Sequence, residues 1–453
     1  MINRIILFGA TGDLTRRLWL PAVAQLAADG ILPDRFRIVG SALEDLSTEG
    51  FQSQMTDALA EHAAFVDAEV RGRVVDCLSY QAANVTDPQE VKAVLGDDHE
   101  PTLVYLALPT FLLEKAFLAL GKANMTTKDA LAIEKPFGND LTSAQKLNEI
   151  LHFELPHPSI FRIDHFLSDE LVRRILTIRF ANRLFQPVLN SQHVDHVDIS
   201  WLESLALEGR AGYYDKAGAL KDMIQNHMIE ALSLLLMEEP ARFDEPSFRG
   251  NRVEALRSIA TPTLASIKEG TVRAQYSAGT IGDRPIPDYV AEPGVDPSRE
   301  TETYAAVDLE VPNSRWEGTR FTLRSGKAMP ANSAEITIHF KPVYGFENNE
   351  RVLTRPNVLR IGLMEPYVRA EINIKGPDQE LEPQVLEMMS PVPKRTAYAN
   401  LIAEMLRNNT MLFIRDDEVE ETWRVIDPIV EAWQKGEVPL QTYAAGTDAP
   451  TVK

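Results

Sequence analysis

The chain has 453 residues, room for about two or three domains, and its 44% apolar and 25% charged residues are those of a folded globular protein. A net charge of −20 argues against nucleic acid and anionic membrane surfaces as partners, but not against a phosphorylated ligand held by local basic groups. The single cysteine, Cys77, excludes an internal disulfide and a cysteine-rich metal centre, so no metal is expected; without a signal peptide or an apolar run of about 18 residues, a cytoplasmic location is expected.

Residues 1–163 read as alternating strands and helices. The apolar runs Ile5–Phe8, Arg37–Val39, Thr102–Ala107 and Ala130–Ile133 are short and bounded by turn residues, which suits buried parallel strands. Helical patterns at Pro21–Ala28, Phe51–Ala60 and Phe111–Gly121 lie between them. This is the pattern of a doubly wound, Rossmann-type α/β domain. Gly9-Ala10-Thr11-Gly12-Asp13-Leu14 follows the first strand and opens a helix. Small residues there let the backbone approach a pyrophosphate, and the helix start offers amide donors. The GxxG spacing alone is a moderate signal, because a plain strand-to-helix turn also uses glycine. Arg16 and Arg17 either assist the phosphates or are solvated.

The choice between NAD and NADP falls at the end of the second strand, Ser41-Ala42-Leu43-Glu44-Asp45. An acidic residue there accepts from ribose hydroxyls, whereas an arginine pairs with a 2′-phosphate. Leu43 followed by Glu44 and Asp45 favours NAD. Ser41, Thr11 or Arg16 could still hold the extra phosphate, and the two carboxylates could simply cap the next helix.

Residues 164–453 read as an α+β domain with a large, mainly antiparallel sheet. Helical segments fall at Asp169–Arg179, Gly218–Met237, Thr396–Arg407 and Asp417–Gln434; strands fall at Arg320–Arg324, Glu335–Lys341, Val358–Leu363 and Tyr367–Lys375. The Pro- and Glu-rich stretch Pro285–Thr303 is expected to be a surface loop. The segment around Lys221–His227 is apolar over much of its circumference, through Leu220, Met223, Ile224, Met228 and Ile229. Asp222, Asn226 and His227 inside it are costly unless partnered or functional. A histidine titrating near neutrality suits the removal of a hydroxyl proton while a nicotinamide takes the hydride.

Ordered motifs run through nearly the whole chain: GATGDL, YLALP (Tyr105–Pro109), EKPFG (Glu134–Gly138), RIDHF, FAN (Phe180–Asn182), EGRAGYYD (Glu208–Asp215), KDMIQNH (Lys221–His227), EPGVDP, LRSGKAM (Leu323–Met329) and YAAG. Together they resemble the glucose-6-phosphate dehydrogenase family. The resemblance implies oxidation of the anomeric C1 hydroxyl of a glucopyranose to the 1,5-lactone with NAD or NADP. It implies His227 as general base, Asp164 as its orienting carboxylate, and Lys135 between nicotinamide and substrate. Glu203, Asp222, Lys327 and His165 match substrate-contacting positions. Gly9, Thr11, Gly12, Asp13, Leu14, Ser41, Leu43, Glu44, Leu108, Pro109 and Lys135 are the expected cofactor contacts. Pro136 matches a proline that follows a cis peptide, and a homodimer or homotetramer joined through the sheet of the second domain is implied.

The resemblance weakens at the substrate phosphate. The family's usual RIDHYLGKE reads RIDHFLSDE here, and the later cationic position reads Asn332, five residues past Lys327. Of four phosphate-contacting positions only His165 is kept; Phe166, Asp169 and Asn332 replace the rest. The expectation from these changes is a glucose without a 6-phosphate, or modified there, with Asp169 and Asn332 accepting from its sixth-carbon group. The alternatives are an ordinary glucose-6-phosphate dehydrogenase whose phosphate site has shifted, with Arg173 or Arg174 replacing lost ligands, and a catalytically silent regulatory homologue.

Overall fold

In the computed structural model, which describes residues 2–96, 100–123, 125–156, 158–347, 350–376 and 380–452, the early apolar runs pair as parallel strands. They are β1 (Arg4–Phe8), β2 (Arg37–Ser41), β3 (Leu78–Tyr80), β4 (Thr102–Leu106), β5 (Ala130–Glu134) and β6 (Ser159–Ile163), in the order β3-β2-β1-β4-β5-β6. Alternate residues of β1 enter two separate cores. Ile5 and Leu7 pack with Trp19, Leu20 and Val23 and with the helix Ala397–Leu406, while Ile6 and Phe8 pack with Leu113, Phe117 and Leu151. Helices on both faces explain why the strands are continuous apolar runs rather than alternating ones. Strand order reverses between β1 and β4, the place where open α/β sheets leave a crevice for a ligand.

Two compact units divide the chain. The first contains residues up to Glu170 together with Pro240–Gly250 and Pro393–Glu420. Its strands β3 and β6 were not foreseen from the sequence; for β3, three-residue Leu78–Tyr80 is too short for a periodic signal.

The second unit contains Leu171–Glu239, Asn251–Val392 and the chain from Glu421. Its main sheet comprises β7 (Val194–Leu202), β8 (Thr271–Ser277), β9 (Tyr304–Glu310), β10 (Arg320–Gly326), β11 (Ser333–Phe340), β12 (Val358–Gly362), β13 (Tyr367–Lys375), β14 (Leu381–Met389) and β15 (Leu440–Ala444). Among the described residues the order is β14-β13-β12-β11-β7-β10-β9-β8-β15. Pairing is parallel at β7/β10 and β8/β15 and antiparallel at the other joints. The fold is thus a Rossmann-type α/β domain followed by an α+β region with a large, mainly antiparallel sheet.

Over β11 the alternation of apolar and polar residues is only partly followed by burial: Ile336 and Ile338 are buried and Glu335 and His339 half-buried, but Thr337 is buried and Phe340 half-buried. One expectation fails. Pro285–Thr303 is not simply a surface loop, since Tyr289, Glu302 and Thr303 are buried, at 1%, 9% and 0% exposure. Proline and glutamate content signalled a loop, but Tyr289 donates to the buried Asp215 and Glu302 packs under a helix, so tertiary contacts override composition.

Candidate active site

The glycine turn after β1 is built for close approach. Gly9 has φ +81°, and a Cβ there would sit 2.2 Å from the Ala107 carbonyl oxygen at the end of β4. No side chain fits that position. The Gly9 and Ala10 amides donate to the Ser41 carbonyl at 2.9 and 3.2 Å, which fixes the turn against β2. Ser41 acts here through its backbone, its side chain being buried. Gly12 and Asp13 are exposed, Thr11 and Leu14 half-buried, and Leu108 and Pro109 follow β4. An exposed small-residue turn running into a helix fits the pyrophosphate of a dinucleotide. Past β2, Leu43 is 76% exposed. Glu44 and Asp45 are exposed as well, and they do not cap the next helix: Ser47 does, accepting from the Gly50 amide at 3.1 Å.

At the end of β5, Glu134 precedes Lys135, whose bond to Pro136 is cis, as expected. Oε1 of Glu134 accepts from the hydroxyls of Tyr105 and Tyr398, the latter at 3.2 Å. Burial of the inward-turned carboxyl pushes its pKa up to about 7, against the lowering effect of the two tyrosines and Lys135. This group was missed in the sequence. Tyr105 and Glu134 lie in recognised motifs, but Tyr398 arrives from a helix far along the chain. In the same unit Asp164 is 1% exposed and caps a short helix (His165–Ser168) through Oδ1 and the Phe166 amide, at 2.9 Å. The His165 ring stacks on Tyr398, with centroids 6.0 Å apart. Phe166 is buried, and Asp169 is half-buried at the end of that turn.

The second unit holds the other sugar-chemistry candidates. Leu202 pairs with Gly326 in the parallel register of β7 and β10, so Glu203 and Lys327 leave the sheet side by side. They form an ion pair of 2.6 Å. The Lys327 ammonium also lies 5.2 Å from the centre of the Tyr214 ring. His227 and Asp222 are buried on a π-helical segment (Leu220–Met228) packed against β7, β9 and β10. Tyr213 donates to Asp222 at 3.3 Å, and the His227 amide donates to the Asn226 side chain at 2.6 Å. The carbonyl oxygen of the Asn332 side chain accepts from the Ser204 amide and hydroxyl at 2.8 and 3.0 Å, so it fastens the turn that carries Glu203. Arg174 donates to the Tyr367 carbonyl at 3.2 Å, while Arg173 is exposed.

Comparison with known proteins accounts for the whole chain. Residues 6–174 match "Glucose-6-phosphate dehydrogenase, NAD binding domain", and residues 176–453 match "Glucose-6-phosphate dehydrogenase, C-terminal domain". The chain belongs to the glucose-6-phosphate dehydrogenase family. It is 34% identical to glucose-6-phosphate 1-dehydrogenase of Zymomonas mobilis, covering 99% of this chain and 96% of that protein. Identity to the Mycolicibacterium smegmatis protein of the same name is 36%, covering 98% and 94%. A solved structure described as glucose-6-phosphate dehydrogenase in complex with its substrate glucose-6-phosphate superposes with a TM-score of 0.89 at 28% identity, covering 99% of this chain and 96% of that one. Family membership makes the chain an NAD(P)-dependent sugar dehydrogenase with a nicotinamide dinucleotide site in its first domain. Among the described residues no helix is long and apolar enough to cross a membrane.

Proposed function

We propose that the chain is a glucose-6-phosphate 1-dehydrogenase that oxidises the C1 hydroxyl of glucopyranose 6-phosphate to the 1,5-lactone. The supporting observation is end-to-end similarity, 34% to 36%, to proteins named for that activity, in a chain that keeps Lys135, Asp164, Glu203, Asp222, His227 and Lys327. This reading reverses the preference for an unphosphorylated sugar drawn from the phosphate-site residues alone.

His227, buried beside the polar Asp222 and Asn226, takes the C1 hydroxyl proton. Asp164 orients the imidazole and stabilises its charged form. Lys135 places an ammonium at the anomeric oxygen. Glu203 and Asp222 accept from sugar hydroxyls; the Lys327 pair holds Glu203 in one orientation before substrate arrives. A nicotinamide dinucleotide, when bound, supplies the hydride acceptor. The glycine turn Gly9–Gly12 holds its pyrophosphate. Exposed Glu44, with Leu43 where the family carries arginine, favours NAD over NADP.

At the sugar phosphate, His165 keeps its role. Arg173, exposed one turn beyond Asp169, supplies the cation that Asp169 no longer provides; Arg174 is already engaged with a backbone carbonyl. The second reading, a hexose without the phosphate, rests on Asp169 and the buried Phe166, which remove a cation and a hydroxyl donor. A homodimer or homotetramer is proposed by family analogy.

The reaction is tested by incubating the protein with glucose 6-phosphate and NAD or NADP and identifying the product by mass spectrometry. Expected are reduced nicotinamide and the phosphorylated lactone or its hydrolysed acid, with kcat lowered about 10²- to 10⁴-fold in His227→Asn. No turnover with any aldose would favour a silent regulatory homologue instead.

A further inference from the structure

One group of side chains on the second unit's sheet lies outside the residues assigned above to the sugar chemistry. β7 and β11 pair antiparallel with His196 opposite His339. Asp198, two residues along β7, shares the face of His196 by strand periodicity. The two imidazoles stack, with centroids 4.1 Å apart and planes 14° from parallel. Nε2 of His339 lies 3.4 Å from Oδ2 of Asp198, and Nε2 of His196 lies 3.8 Å from the same oxygen. One ligand atom from each of the three residues falls within 4.8 Å of the others.

Two further contacts orient this group. Nδ1 of His196 is 2.8 Å from Oδ2 of Asp195. A carboxylate there keeps the proton on Nδ1 and turns the Nε2 lone pair toward Asp198, the arrangement that commonly supports a metal-bound histidine. Arg324 pairs at 3.4 Å with the other oxygen of Asp198, Oδ1, so Oδ2 faces the two imidazoles. In the single chain the three side chains are half-buried, with 18% to 26% exposure.

We propose that His196, Asp198 and His339 form a site for a divalent transition-metal ion, with Zn²⁺ the best match. A tetrahedral ion with bonds of about 2.0–2.1 Å places its donors roughly 3.3–3.4 Å apart. The observed 3.4 and 3.8 Å to Asp198 are close to that spacing, and the two stacked rings must turn out of parallel for both Nε2 lone pairs to meet one ion. Two imidazoles and one carboxylate suit Zn²⁺, Co²⁺ or Ni²⁺, while Mg²⁺ and Ca²⁺ require more oxygen ligands. The fourth position is left to water. The ion pins β7 to β11 on the strand that leads into Glu203. Sequence spacing gives no hint of it, because the two histidines come from strands far apart in the chain.

The test uses the full chain, stripped of metal with a chelator and titrated with Co²⁺ alone, then with Zn²⁺. Expected are visible absorption bands of tetrahedral Co²⁺ at one equivalent per chain, displacement by Zn²⁺, and a thermal midpoint raised by Zn²⁺ but not by Mg²⁺. His339→Gln and Asp198→Asn should each weaken Co²⁺ binding at least about tenfold while leaving the metal-free midpoint near that of the parent. An Asp195→Asn variant should weaken it less. Absence of binding, or binding unchanged in both His339→Gln and Asp198→Asn, would overturn the proposal.

Discussion

At Leu43 the side chain is 76% exposed, at the point where the second strand has ended and a 2′-phosphate would need a cation. With Ser47 capping the following helix, Glu44 and Asp45 are not needed for that task. Leu43→Arg should therefore raise kcat/KM with NADP relative to NAD by about tenfold, roughly 1.4 kcal/mol. Steady-state kinetics with both cofactors checks this, and an unchanged ratio would place 2′-phosphate recognition elsewhere. Single residues were the most legible level in the sequence where their neighbours in the chain fixed the local backbone, as for the Gly9 turn and the cis bond before Pro136. They were least legible where a distant contact set their task. Asn332 was expected to face the sugar, yet its acceptor oxygen is engaged by Ser204. The tyrosines on Glu134 could not be assembled from local spacing, since Tyr398 belongs to a re-entrant helix.

Among the elements, the segment carrying His227 departs most from a plain reading. The sequence implied one helix over Gly218–Met237; the chain instead bends at Gly218, forms a π-helical segment over Leu220–Met228 and continues as Ile229–Leu236. Residues five apart stand about 140° apart around an α-helix. Hydrogen bonding from i to i+5 brings them toward one side, so this widening turns Asp222 and His227 toward the same side of the segment. The bend is locked from beneath. Gly218 has φ +69°, and Glu302, against which any Cβ there would clash at 2.2 Å, accepts from the Leu220 amide at 3.0 Å. Burial pushes the Glu302 pKa up to about 7 from 4.5. The folded state thus holds a proton that the unfolded state releases, and this carboxyl costs stability as pH rises from 4.5 toward about 7. Glu302→Gln keeps the acceptor and removes the titration. Its thermal midpoint should fall less than the parent's over that interval; parallel curves would show that the Glu302 carboxyl titrates alike in the folded and unfolded chain. None of this geometry shows in hydrophobic periodicity, which marks apolar positions without distinguishing an α from a π turn.

For the whole molecule, composition and strand pattern were enough to place a dinucleotide-binding α/β domain before an α+β region, because buried parallel strands leave continuous apolar runs. Much of the large sheet stayed hidden. β7, β8, β9, β14 and β15 were not foreseen, β14 being mostly exposed and lacking an apolar face to read. The substrate was the point at which local residues and overall similarity disagreed. Phe166, Asp169 and Asn332 argue against a 6-phosphate, whereas end-to-end likeness to glucose-6-phosphate 1-dehydrogenases argues for it. Exposed Arg173 reconciles them if it carries the displaced charge. The most direct measurement is kcat/KM for glucose 6-phosphate and for glucose, in the parent and in Arg173→Ala. The account predicts a preference for glucose 6-phosphate of at least about 100-fold, near 2.7 kcal/mol, and its reduction by about tenfold or more in the variant through KM. Equal or higher kcat/KM for glucose in the parent protein would contradict it.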